Sequence, residues 1–174
     1  MSGIIDTVGA RSGIIGSDVY PVGHILQTKQ SLMSTKQIVA SASYVDVLTL
    51  AITPSSTGNK ILINFSLSAG SAGGAEGAHI QIERGGTAIG VGDARGSRGQ
   101  ATVVAGPATD DNGMYSASGT YLDSPSSTST LTYTIAVHGW ASGNPVNINC
   151  TGHDTNSVNY STALSMLTLH EIQG

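Results

Sequence analysis

Five histidines, one cysteine and eleven carboxylates are the groups in this 174-residue chain with the reactivity for catalysis or metal binding. A metal site needs several such ligands brought together. His24, His79, His138, His153 and His170 fall on separate candidate strands or loops, and the adjacent pair His153-Asp154 is no ligand set by itself. No metal and no cofactor are therefore expected. Nucleophilic catalysis needs a Ser or Cys beside a base with an orienting acid. With 23 serines some approach to a histidine is inevitable, and there is no Gly-x-Ser-x-Gly elbow. Paired-carboxylate chemistry needs two acids facing across a cleft, whereas Asp110-Asp111 precedes Asn112-Gly113 and reads as a solvated turn. The run Gly90–Gly96 has the outline of a phosphate loop, but it lacks the later glycine and no helical pattern follows. Arg95 and Arg98 within it are open to contact with an acidic partner or simply keep the loop solvated. Cys150 ends the strand-like run Val146–Cys150 and reads as a small buried residue. The chain reads as non-enzymatic.

The elements that carry these residues are strands. Glycine, serine and threonine make up more than a third of the chain, while charged residues are only 10%. That balance, with many β-branched residues, argues against disorder and against a helical bundle. From Tyr20 onward the hydrophobic period is two. It predicts strands over 23–28, 37–41, 44–52, 60–69, 78–84, 87–91, 101–104, 114–122, 130–140, 146–150 and 163–172. In the fourth, Ile61, Ile63, Phe65 and Leu67 share one face; in the ninth, Leu131, Tyr133, Ile135 and Val137 do. In the last, a change of phase among Leu164, Met166, Leu167, Leu169 and Ile172 suggests a bulge. Turn signals separate the strands at 53–59, Gly85-Gly86, Asn112-Gly113 and 142–145. The expected fold class is all-β, an antiparallel sandwich or jelly roll, over residues 19–174.

Residues 1–18 differ from the rest. Gly3-Ile4-Ile5 recurs as Gly13-Ile14-Ile15, and such a segment cannot cover its own isoleucines. Ile4, Ile5, Ile14 and Ile15 are therefore the candidate contacts of a short extended arm with a neighbouring subunit. Charge is uneven as well. All seven Lys and Arg lie in residues 1–98, and none follows. No basic cluster exists for phosphate backbones, so direct nucleic-acid binding is not expected. No apolar run approaches the roughly 18 residues of a membrane span, and no signal peptide is apparent at the N-terminus. From Ser124 to His153 there is no charged residue at all. A strand face that meets water normally carries charge, and interface cores lack it. Tyr133, Ile135, Val137 and Trp140 are thus the candidate subunit interface.

The order of motifs is similar to that of tailed-phage structural proteins. It is carried by Thr53-Pro54-Ser55-Ser56 followed by Lys60-Ile61-Leu62-Ile63, then Tyr121-Leu122-Asp123-Ser124-Pro125, Leu131-Thr132-Tyr133-Thr134-Ile135 and the terminal Leu164–Ile172. The resemblance covers roughly residues 22–173. It implies a trimeric jelly roll related in shape to tumour-necrosis-factor and complement globular heads. It also implies a place on the virion, either as a capsid decoration (cement) protein or as a tail-fibre or receptor-binding tip. The partners it implies are two further copies of the chain and a major capsid or tail protein.

Overall fold

Strands form where apolar and small polar residues alternate, because each then turns one face to a core and one to water. The computed structural model describes residues 20–71, 77–106, 112–139, 145–153 and 155–174. Its strands are β1 (Ile25–Met33), β2 (Gln37–Val39), β3 (Val45–Ile52), β4 (Lys60–Ser71), β5 (His79–Arg84) and β6 (Thr87–Ile89). They continue as β7 (Val103–Val104), β8 (Met114–Asp123), β9 (Leu131–His138), β10 (Val146–Ile148) and β11 (Ser165–Ile172). Among the described residues there is no helix. The all-β class expected from the period of two is the class observed.

All strand pairs are antiparallel and build two sheets. The first runs β1-β11-β4-β10-β2, and the second β3-β9-β5-β6 with β7 also on β5. β4 is the spine of the first sheet. It pairs with β8 from Ile61 to Gly70, while β11 and then β10 share its other side. Ile61, Ile63, Phe65 and Leu67 of β4 join Ile80 and Ile82 of β5, and Tyr133, Ile135 and Val137 of β9, in one buried core. Burying each large aliphatic side chain is worth about 1.5–3 kcal/mol, so a core this short of aromatics still holds two sheets together.

Two expectations change here. The last strand carries no bulge: its register with β4 is unbroken from Met166 to Ile172. Ser165, Leu167, Leu169 and Glu171 point inward, and Met166 and Ile172 point outward, so the mixed phase comes from apolar residues on both faces. The other change concerns the uncharged stretch. β9 lies between β3 and β5, and Tyr133, Ile135, Ala136 and Val137 are all fully buried within the single chain. A side chain already covered by its own chain has no surface left for a neighbour. The expected subunit interface therefore does not run through Tyr133, Ile135 or Val137; they belong to the intramolecular core. β10 is buried in the same way. Charge is missing from these strands because one chain encloses them, at the cost that desolvating a charge would bring. Trp140, Asp110, Asp111 and Asp154, together with the arm residues Ile4, Ile5, Ile14 and Ile15, lie outside the described residues.

Candidate interaction face and neighbouring clusters

The outward side of the first sheet is where this chain presents an unusual surface. Antiparallel registers place the outward residues of four strands in rows. One row is Leu122, Leu62, His170 and Thr28; the next is Thr120, Asn64, Thr168 and Gln30; a third is Ser118, Ser66, Met166 and Leu32. Ile25, Ile172 and Lys60 close one end. The polar members bond to each other across strands. Thr28 Oγ1 lies 2.8 Å from His170 Nδ1, Gln30 Nε2 donates to Thr168 Oγ1 at 3.1 Å, and Thr120 Oγ1 donates to Asn64 Oδ1 at 2.8 Å. Such bonds pair much of the polarity within the face, and a recess of about 200 Å³ lies among Asn64, Ser66, Met166 and Thr168.

No carboxylate stands in these rows. The two acids of the four strands, Asp123 and Glu171, both point inward and are buried. Lys60 is the one ammonium on the face. Set into it are exposed apolar residues, Leu32 at 57% exposure, Ile25 at 49% and Leu122 at 46%. Polar rows separate these three, so it is the scarcity of charge across the face, rather than a continuous apolar patch, that is like the charge-depleted core of an interface. Alternation alone hid this face, because its Thr, Ser, Asn and Gln read as an ordinary wetted side. The available signal was the absence of Asp and Glu at every outward position.

The buried carboxylates have structural work. Glu171 Oε1 accepts from the Ser55 amide (2.6 Å), Ser55 Oγ (2.7 Å) and Asn59 Nδ2 (2.6 Å), while Oε2 accepts from Gln27 Nε2 (2.6 Å). Burial pushes this carboxyl up, but the donors outweigh it and hold it below the ordinary carboxylate value. Its effect is to tie the turn between β3 and β4 to the far edge of the sheet. Both oxygens of Asp123 accept from Arg84 Nη1, at 2.8 Å for Oδ1 and 2.7 Å for Oδ2, and Oδ2 accepts from the Tyr133 hydroxyl at 2.6 Å. Burial first, and then that bond to Asp123, push the Tyr133 phenol far up, so it remains a donor.

The histidines are less scattered than their spacing suggests. His79 on β5 and His138 on β9 are register partners, with ring centroids 4.6 Å apart. Tyr44 packs edge-on against His138 at 4.7 Å, and its hydroxyl donates to the Gln100 carbonyl at 2.6 Å. Sequence separation concealed this pair, because β5 and β9 become neighbours only through sheet pairing. His24 stacks on Tyr20, His170 lies on the outward side of the first sheet, and His153 packs near Tyr160. Among the described residues no group of three or more His, Cys, Asp or Glu converges. Cys150 is buried as expected, but it lies just beyond β10, which ends at Ile148, in an isolated bridge to Thr162.

No protein-family model matches the chain, and no curated protein matches it in sequence. Its function must be argued from the surfaces above.

Proposed function

We propose that this chain is a non-enzymatic structural protein of a virion, a homotrimer that decorates the capsid and clamps neighbouring capsid subunits through residues 1–18. The observation that carries the reading is the nearly uncharged outer face of β1, β11, β4 and β8 with Leu32, Ile25 and Leu122 exposed on it. A face without carboxylates packs against a second copy without burying an unpaired acid. The strand paths β1-β11-β4-β8 and β3-β9-β5-β6 are compatible with the jelly roll that the motif order implies. The N-terminal isoleucine pairs then reach the shell, and the trimer holds three arms together, which multiplies weak contacts.

Deletion of residues 1–18 tests the clamp. The truncated protein is expected to remain a folded trimer and to lose binding to purified particles. Binding at full strength would overturn the anchoring role. Labelling the protein on intact virions then separates shell from tail.

A second reading, a tail-fibre or receptor-binding appendage, has one observation in its favour. An open recess of about 410 Å³ is lined by Thr151, Asn156, Ser157, Tyr160 and Thr162 beside His153. Hydroxyls and an amide around an aromatic ring suit a sugar of a host surface. Glycan-array binding by the intact protein, without binding to capsids, would favour this reading over the first.

A further inference from the structure

We infer that the open recess beside His153 and Tyr160 binds a neutral pyranose sugar, its C–H face on the Tyr160 ring, and selects it over acidic sugars. The inference rests on the reading of this recess as a sugar site given above, and it holds wherever on a virion the protein sits. The recess has a fixed base. Asn147 and Gly70 are register partners on β10 and β4, and the segment 150–152 lies against both. Asn147 Nδ2 donates to the Thr151 and Gly152 carbonyls, at 3.2 Å each. A Cβ on Gly70 would lie 2.5 Å from the Cys150 carbonyl oxygen and 3.0 Å from Thr151 Cα, so a glycine is what lets the segment settle there. Asn149, at a φ of +63°, donates to the Met33 and Thr35 carbonyls at 2.7 and 3.1 Å and accepts from Ser165 Oγ at 2.6 Å. The other end of the loop is held by the bridge between Cys150 and Thr162 and by the Ala163 amide, which donates to the Asn149 carbonyl at 3.0 Å. Asn147, Asn149, Thr151 and Ser165 are all buried. A buried polar network of this kind rigidifies the loop before a ligand arrives, which lowers the cost of binding.

The lining sets the ligand class. A volume of about 410 Å³ falls within the range of roughly 300–1,000 Å³ usual for small-molecule sites. Asn156, Ser157 and Thr162 present an amide and two hydroxyls, groups that both donate and accept, as each hydroxyl of a sugar does. Ser157 Oγ already accepts from the Asn159 amide at 3.3 Å, which leaves its proton for an outside acceptor. The rings of His153 and Tyr160 stand 5.8 Å apart at 43°, and they supply the apolar surface on which the C–H face of a pyranose packs. Charge decides between neutral and acidic sugars. Among the described residues no Lys or Arg lines the recess, and none occurs in the chain after Arg98. A carboxylate or phosphate entering it would give up hydration with no ammonium or guanidinium to replace it. A neutral sugar carries no such penalty.

The test titrates the full chain at neutral pH with glucose, galactose, mannose, N-acetylglucosamine, glucuronic acid and N-acetylneuraminic acid, followed by saturation-transfer and amide-shift NMR. A neutral sugar is expected to saturate one site per chain and to shift the signals of Asn156 and Tyr160. The two acidic sugars are expected to bind about tenfold more weakly or not at all. Tyr160→Ala is expected to weaken binding about tenfold, while Tyr160→Phe, which keeps the ring, retains most of it. Asn156→Ala, at an exposed position, is expected to weaken it about threefold or more without disturbing the fold. His24→Gln is the control that leaves binding unchanged, and circular dichroism checks each variant. No saturable binding of any neutral sugar overturns the inference. So does equal affinity for the acidic sugars, or binding that survives both Tyr160→Ala and Asn156→Ala. A protein labelled on the tail that binds no sugar sinks this inference and leaves the appendage reading standing; one on the shell that binds a neutral sugar does the reverse.

Discussion

At the scale of single residues, the buried acid Glu171 ties stability to pH. Glu171 is held below its ordinary value of 4.5 in the folded chain by donors from Gln27, Ser55 and Asn59, against the upward push of burial. The unfolded chain therefore binds the proton more readily. Stability from this group is full above the ordinary carboxylate value and is lost as pH falls through the folded one. Urea unfolding at a series of pH values from neutral to acid should show that decline. Glu171→Gln should cost about 1–3 kcal/mol at neutral pH and flatten the dependence, since the group that titrates is gone. An unchanged slope in the variant would assign the acid sensitivity to another group. Nothing in the local pattern marked Glu171 as buried. It follows Leu167 and Leu169 at inward positions, where the period predicts an apolar residue, and the donors that permit a carboxylate there come from the turn at Ser55–Asn59 and from Gln27 of β1.

At the scale of elements, the strands were legible because hydrophobic alternation survives even in a chain rich in Ser and Thr. All eleven expected strands occur, with ends moved by a few residues. β1 runs on to Met33, past the polar residues Lys29 and Gln30, because an edge strand can keep polar residues on both sides. The hairpin at Gly85-Gly86 was equally legible. Its two glycines take φ of +57° and +78°, as a two-residue turn between twisted strands requires. The pairing of β8 on β4 was not, since it depends on a fit across 54 residues of chain. At Gly119 that fit is visible: a Cβ there would lie 2.6 Å from Phe65 Cε1. Gly119→Ala is expected to destabilise the fold by about 1–3 kcal/mol through overpacking, measured by thermal or denaturant unfolding. Adding Phe65→Leu should recover part of the loss, a non-additivity that identifies the contact. Additive losses would place the strain elsewhere.

At the scale of the whole molecule, the prediction concerns association. A trimer built on the outer face of the first sheet has a solution mass three times the 17.6 kDa of one chain. Leu32 and Thr168 both lie on that face, and neither contributes to the core. Leu32→Asp and Thr168→Asp each place a carboxylate where a neighbouring copy would have to desolvate it, which costs several kcal/mol per buried ion. Light scattering after size exclusion should show these variants shifted toward a single-chain mass, with thermal stability of the isolated fold little altered. A trimer that persists in both variants would remove this face from the interface. The uncharged run 124–153 pointed to burial on two sides, and burial on two sides is what β9 has. The covering surface, however, comes from the same chain.

The sequence by itself determined the all-β class, the strand positions and the tight turns, because these follow from alternation and from backbone preferences acting over a few residues. It also determined that charge is scarce. Only the tertiary structure decided where that scarcity matters. Sheet pairing sent β9 and β10 to the interior, brought His79 beside His138, and lined up Leu122, Leu62, Met166 and Leu32 on one open face. These are juxtapositions of residues far apart in the chain, and register between distant strands is set by how whole faces pack, which no local pattern encodes.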